Sequence, residues 1–330
     1  MKRVAFQQLK DEFERVLLKT NFKAEKAQAV AEIFASNSRD GVYSHGLNRF
    51  PVFIEYVRDG LVNPDAKPVF VDRFGALERW DGQLGPGMLN AVFCMDRAIE
   101  LAKENGVSCV AIKNTSHWMR GGTYGWQAAE AGLIGICFTN TIANTTPWGG
   151  VTAALGNNPL IIAIPREEGH VVLDMAMTQF SFGKLQEYKL RGQSLPFDGG
   201  YDEEGKLTSD PATIMKSQRA LPMGLWKGSG LSLVLDMLAA VLSSGRTTAS
   251  ITADGKEYGI SQVFICMKVQ NPSEKERLVN EIIAYTKPAT PEDPSKPVAY
   301  PGEHTLKTRL ENMEKGIPVD EEMWQRLLDL

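Results

Sequence analysis

The chain has no G-x-G-x-x-G run, the fingerprint that seats a dinucleotide pyrophosphate at a helix N-terminus in Rossmann folds. That absence stands against proportions that otherwise suit a dehydrogenase, with 30 glycines in 330 residues. H-E-x-x-H and G-x-S-x-G are missing too, so the common metalloprotease and lipase readings lack support. Cysteine is scarce: Cys94, Cys109, Cys137 and Cys266 form no C-x-x-C pair and sit in apolar runs such as Gly135-Ile136-Cys137-Phe138. They read as buried free thiols in a reducing compartment, and no metal site is expected. No apolar stretch approaches the ~20 residues of a membrane span. The first residues lead into charged, helix-like sequence rather than the apolar core of a secretory signal. An excess of positive charge is also lacking. Lysine plus arginine is 36 against 40 acidic residues, a net charge of −4, which argues against sequence-independent nucleic-acid binding.

What is present suits a folded protein of about two domains, with 43% hydrophobic and 23% charged residues. Phe6, Leu9, Phe13, Val16 and Leu17 recur at helical spacing, as do Ala27, Val30, Ala31, Ile33 and Phe34. A third helix ends at Gly60, and Met88–Asn105 reads as a helix closed by Gly106. Strands are predicted at 107–112, 133–139, 159–164, 171–175 and 259–269, and a long apolar helix at 231–242. Continuous apolar runs such as Val263-Phe264-Ile265-Cys266-Met267 suit strands covered by helices on both faces. The segment 287–301 holds five of the 17 prolines and reads as a linker. Two short helices follow it, and Asp320 is a good N-cap for the second. A helical start, an α/β middle and a helical tail suggest that the tail returns to the N-terminal helices. The expected division is residues 1–70 with 300–330 as one helical unit, and 71–286 as a sheet domain.

Three segments carry chemistry. Ser44-His45-Gly46-Leu47-Asn48-Arg49 packs a hydroxyl, an imidazole and a guanidinium into six residues. Imidazole exchanges protons near neutral pH, and guanidinium grips a carboxylate with two parallel hydrogen bonds. A helix starting at Ser44 would align His45 and Arg49, but Pro51 belongs in a first turn rather than mid-helix. The plain alternative is a surface N-cap serine with a solvated histidine and arginine. The segment His117-Trp118-Met119-Arg120-Gly121-Gly122 repeats the pairing directly after a predicted strand, where α/β sites form. Its alternative is a tight turn with aromatic packing. The third, Leu221 to Gly230, is a glycine-rich loop opening a helix, with Lys227 adding charge. Asp174 suits a ribose hydroxyl, an imidazole partner or a helix N-terminus, and Asp202 is the other candidate partner for His45. The segment Gly200–Leu207 nearly spells a P-loop, but leucine replaces the magnesium-binding hydroxyl and three carboxylates crowd it, so it reads as an acidic surface turn.

With these motifs the chain resembles the type-2 malate/L-lactate dehydrogenase family. The resemblance spans essentially the whole sequence. Its carriers are Gly41-Val42-Tyr43-Ser44-His45-Gly46 with Arg49, His117-Trp118-Met119-Arg120-Gly121-Gly122, Leu173-Asp174-Met175-Ala176-Met177 and Trp226-Lys227-Gly228-Ser229-Gly230. It implies a non-Rossmann α/β fold, with a mainly antiparallel mixed sheet flanked by helices and a helical domain built from both ends of the chain. It implies nicotinamide-dependent reduction of the 2-keto group of a sugar-derived keto acid; the alternatives are malate/L-lactate-type and cyclic imino-acid activities. His45 is then the proton donor, with Arg49 and His117 as further catalytic residues and Ser44 and Arg120 binding the small anionic substrate. The implied cofactor contacts are Val172, Leu173, Asp174, Met175, Ala176, Met177, Thr178, Trp226, Lys227, Gly302, Glu303 and His304. In the subgroup the histidine precedes the glutamate, whereas His304 follows Glu303 here. The implied cofactor is NAD, with NADH ahead of NADPH, although no ribose-reading motif accompanies it. The resemblance further implies a cytoplasmic homodimer with no metal, nucleic-acid or membrane partner. Outside this class, a hydrolase using Ser44 or a cysteine with a histidine lacks an identifiable third member, and a non-catalytic binding protein leaves both His/Arg clusters without a purpose.

Overall fold

A computed structural model describes residues 2–330. The helices Phe6–Lys19, Ala24–Arg39 and Phe50–Arg58 bury the apolar stripes that their periodicity predicts. Phe13, Phe34, Phe50 and Phe53 interlock at their centre, with the Phe13 and Phe50 rings 4.4 Å apart. The tail completes this core. Ile317–Val319 pairs antiparallel with Lys2–Val4, and the helix Glu321–Asp329 inserts Trp324 and Leu327. Asp320 caps that helix, accepting from the Met323 amide at 3.0 Å.

A seven-stranded sheet forms the rest of the frame, in the spatial order 69–74, 77–81, 107–115, 260–268, 133–139, 160–164 and 171–175. Only Leu77–Asp81 and Val107–Thr115 run parallel; every other neighbouring pair is antiparallel. The mainly antiparallel, helix-flanked sheet expected from the resemblance is therefore the one observed. The apolar runs have the predicted cause. Val110, Ile112, Phe264 and Cys266 pack toward the helices Gly87–Asn105 and Gly122–Glu130, while Ala111 and Val263 face the helix Trp226–Ser243. All four cysteines are free thiols, three of them buried. Burial alone pushes the Cys109 thiol up to about 11 and the Cys266 thiol up to about 12. No helix among the described residues is long and apolar enough to cross a membrane.

One conditional reading falls, as Pro51 already suggests, and one local expectation needs correction. No α-helix starts at Ser44: Tyr43–His45 is a single 3-10 turn, and the α-helix begins only at Phe50, with Pro51 in its first turn. Proline lacks the amide that a mid-helix position must donate, so the chain starts its helix there. Within the glycine-rich stretch 221–230, only 221–225 is a turn; 226–230 is helical, because that helix begins at Trp226. Gly228 is required by close packing, since a Cβ there would lie 2.2 Å from the Met223 carbonyl oxygen. The near-P-loop is the acidic hairpin turn that its composition predicts: Gly200–Tyr201 pairs with Leu207–Thr208, and Asp202 accepts from the Lys206 amide.

Candidate active site

Antiparallel pairing sets the site. Thr115 pairs with Ile260, Gln262 with Thr139, and Leu160 with both Phe138 and Met175. The segments that follow Thr115, Thr139 and Met175, and the one that precedes Ile260, therefore emerge along one edge of the sheet. The turn at Tyr43–Arg49 and the linker end at Ala299–His304 cover that edge. Together they line a cleft of about 1060 Å³. Ser44, His45, Arg49, His117 and Arg120 all line it, as do Val172, Leu173, Asp174, Ala176, Gly302 and His304.

His45 and His117 come from separate units of sequence and stack, with ring centroids 5.7 Å apart and planes 20° from parallel. The Ser44 hydroxyl lies 3.1 Å from His45 Nδ1, so the orienting partner of this ring is Ser44 rather than Asp174 or Asp202. Asn37 holds the His45 carbonyl at 2.9 Å. The Met119 amide donates to His117 Nδ1 at 2.9 Å, which leaves the proton of the neutral ring on Nε2, directed into the cleft. Burial, then Arg49 and Arg120, hold the His45 imidazole down to about 4. Burial, Arg49 and His45 likewise push His117 well below its ordinary range. Both rings are neutral at pH 7 in the free protein.

The two arginines differ. The Arg49 guanidinium has no hydrogen-bond or ion-pair partner among the described residues and lines the cleft, so it is available to an anion there. Arg120 is buried and donates to Asp40 Oδ2 at 2.7 Å, with Asp174 Oδ2 3.6 Å from its Nε. Asp40 also receives a two-pronged grip from Arg309, both bonds at 2.8 Å, and a 3.0 Å bond from Arg39. Three guanidinium groups outweigh the desolvation of Asp40 and hold its carboxyl below the usual carboxylate range. The sequence alone marks neither Asp40 nor Arg309, since no local signal joins residues this far apart in the chain. It also missed Glu257, which precedes a strand at the same sheet edge and accepts from the Ile142 amide at 3.1 Å.

Not every expected residue faces the cleft. Met177 is buried between the sheet and the helix Trp226–Ser243, and Trp226 and Lys227 are exposed at the start of that helix. Glu303 pairs with Lys287 and accepts from the Tyr300 amide at 3.2 Å. Met175 and Thr178 lie outside the lining, and Thr178 Oγ1 is buried without a partner. The fit to a nicotinamide dinucleotide rests on three features. The cleft is larger than a small keto acid fills. One wall is formed by Val172, Leu173 and Asp174, clasped where the Val172 amide donates to Pro301 O at 2.9 Å. Gly302, at φ +99°, lets that clasp close, since a Cβ would lie 3.0 Å from His170 O.

A model of the malate/L-lactate dehydrogenase family matches residues 4–328. Among curated proteins, 2,3-diketo-L-gulonate reductase of Citrobacter koseri is 47% identical over 329 residues, 98% of this chain and 99% of that one. Its namesake from Mannheimia succiniciproducens is 46% identical, over 99% and 100% of the two chains. Among solved structures, malate dehydrogenase from Entamoeba histolytica superposes with a TM-score of 0.93 at 25% identity, over 99% of this chain and 96% of that one. Delta1-piperideine-2-carboxylate reductase from Pseudomonas syringae pv. tomato gives 0.87 at 26% identity, over 100% and 99%.

Proposed function

We propose, from the premise that the chain belongs to the malate/L-lactate dehydrogenase family, that it reduces the 2-keto group of a sugar-derived keto acid, 2,3-diketo-L-gulonate to 3-dehydro-L-gulonate, using NADH. The observation that carries this reading is the convergence of two stacked neutral imidazoles and the unpartnered Arg49 in one cleft. Arg49 grips the substrate carboxylate with its planar fork. His117 donates from Nε2 to the carbonyl oxygen, where negative charge develops during reduction. His45 supplies the proton to that oxygen. Burial is the main cause of its neutrality in the free protein; a carboxylate docked on Arg49 offsets the next cause, the guanidinium charge, and so raises the proton affinity of the ring. Ser44 holds Nδ1 and leaves Nε2 to the substrate. The bound nicotinamide supplies hydride, and Val172, Leu173, Asp174, Ala176, Gly302 and His304 would hold it. Arg120 acts by fixing the loop that carries His117 rather than by direct grip. We further propose a cytoplasmic homodimer whose helical unit contributes the proton donor and whose sheet unit contributes the cofactor wall; light scattering in solution tests the dimer.

The deciding experiment follows reduced-cofactor absorbance with 2,3-diketo-L-gulonate, pyruvate, oxaloacetate and a cyclic imino acid, using NADH and NADPH. The highest kcat/KM is expected for 2,3-diketo-L-gulonate with NADH. A clear preference for another acid reassigns the substrate, and no oxidation with any of them returns the protein to the binding or hydrolase readings.

A further inference from the structure

Glu257 stands at the cleft with half of its carboxylate unused. Its position follows from the register: Ile260 pairs with Thr115, so the segment before Ile260 faces the segment that carries His117. One oxygen, Oε2, accepts from the Ile142 amide at 3.1 Å. The other, Oε1, has only His117 Nε2 nearby, at 3.9 Å, too far for a hydrogen bond. The side chain is 11% exposed, and that exposure is to the cleft. Burial raises the Glu257 carboxyl above its ordinary range, while the nearby charge of Arg49 and the Ile142 amide favour its ionised form; neighbouring Lys256 is not its partner, because that ammonium is paired with Asp59 at 2.8 Å. The cleft therefore carries a free cation in Arg49 and an acceptor short of a donor in Glu257, with the imidazole of His117 near both.

We propose that Glu257 is the specificity residue of this cleft: Oε1 accepts from a hydroxyl group on the substrate chain, and its charge rejects a second carboxylate. The proposal rests on the keto-acid reductase reading and names the substrate class within it. A polyhydroxylated acid offers Oε1 the donor it lacks while its carboxylate takes Arg49. Pyruvate offers a methyl group and leaves the acceptor unmatched. Oxaloacetate brings a second negative charge toward a fixed one. The charge pattern also sets direction, because the substrate carboxylate is attracted to Arg49 and repelled by Glu257.

The test is Glu257→Gln, which keeps the shape and an oxygen for the Ile142 amide but removes the charge. Steady-state kinetics with 2,3-diketo-L-gulonate, pyruvate and oxaloacetate are expected to show the preference for the hydroxylated acid over pyruvate falling on the order of 10- to 100-fold, the ratio that a hydrogen bond to a charged acceptor commands. The KM for oxaloacetate should drop. Calorimetric titration with L-gulonate and L-malate, in the presence of reduced cofactor with which these hydroxy acids cannot react, gives a readout free of turnover. Affinity for L-gulonate should fall and affinity for L-malate should rise. An active wild type whose substrate ratios survive the substitution overturns the proposal. So does an equal loss on all three acids, which would make Glu257 a positioning residue for His117. If the wild type reduces none of them, the function reading falls by itself, and an undiminished affinity of the variant for L-gulonate then overturns the proposal separately.

Discussion

His45 with Arg49 and His117 with Arg120 are the same pair of functional groups at almost the same spacing, yet the fold treats them differently. The imidazoles converge, 5.7 Å apart, both neutral and both facing the cleft. The guanidiniums part company. Arg49 stands without a carboxylate, whereas Arg120 is absorbed into a buried cluster in which Asp40 joins Arg39, Arg120 and Arg309. What separates a binding arginine from a structural one is the nearest acid. Asp40 lies one turn of chain before the first pair, but it spends its charge on the second pair and on the tail helix, and so leaves Arg49 available.

The sharpest way to break this comparison is to remove the groups it treats as alike. His45→Ala should lower turnover by about 10²–10⁴-fold, the range for a lost general acid, with cofactor affinity retained in a fluorescence titration; near-normal turnover would sink the assignment. Asp40→Ala should act on folding instead. Stripping the carboxylate from buried guanidiniums costs on the order of 3–5 kcal/mol, read as a shift in the urea midpoint, and an unchanged midpoint would show that Arg120 and Arg309 find other partners. The arginines should then respond oppositely to the same conservative change. Arg49→Lys loses the planar fork and should raise the keto-acid KM by roughly tenfold with the unfolding midpoint intact, whereas Arg120→Lys should lower the midpoint first. The reverse pattern would exchange their roles.

A further effect is expected on acid stability. His45 is held near 4 in the folded chain against an ordinary 6.5, so as pH falls the unfolded chain takes up a proton before the folded one does. Stability from this group is complete above 6.5 and is lost as pH drops toward 4. His45→Gln should flatten the fall in urea midpoint between pH 7 and pH 4.5, and an unaltered slope would mean that the imidazole titrates normally.

Much of the sheet was legible because its strands are covered on both faces and therefore write themselves as unbroken apolar runs, as at 133–139 and 263–267. The hairpin at 69–81 was not, since Val69, Phe70, Val71 and Phe74 are solvent-exposed and interleaved with charge. The helix start at Trp226 was hidden by Gly228 and Gly230, which look like loop until Met223 is seen packed on the first. Within the site, both histidines and Arg49 announced themselves through composition. Asp40, Arg309 and Glu257 did not, because each acquires its role only from a partner far away in sequence.

The pairing of Lys2–Val4 with Ile317–Val319 carries a temporal consequence. Of the described strands, the first in chain order must wait for the last to be synthesised before it has a neighbour. The same late segment brings Arg309 to Asp40 and the clasp of Pro301 to Val172. Until then the emerging polypeptide has its imidazoles but neither the anchor of the helix that positions them nor one wall of the cleft. A chain that stalls before residue 300 is thus expected to be inert, so synthesis of this protein releases no half-built reductase.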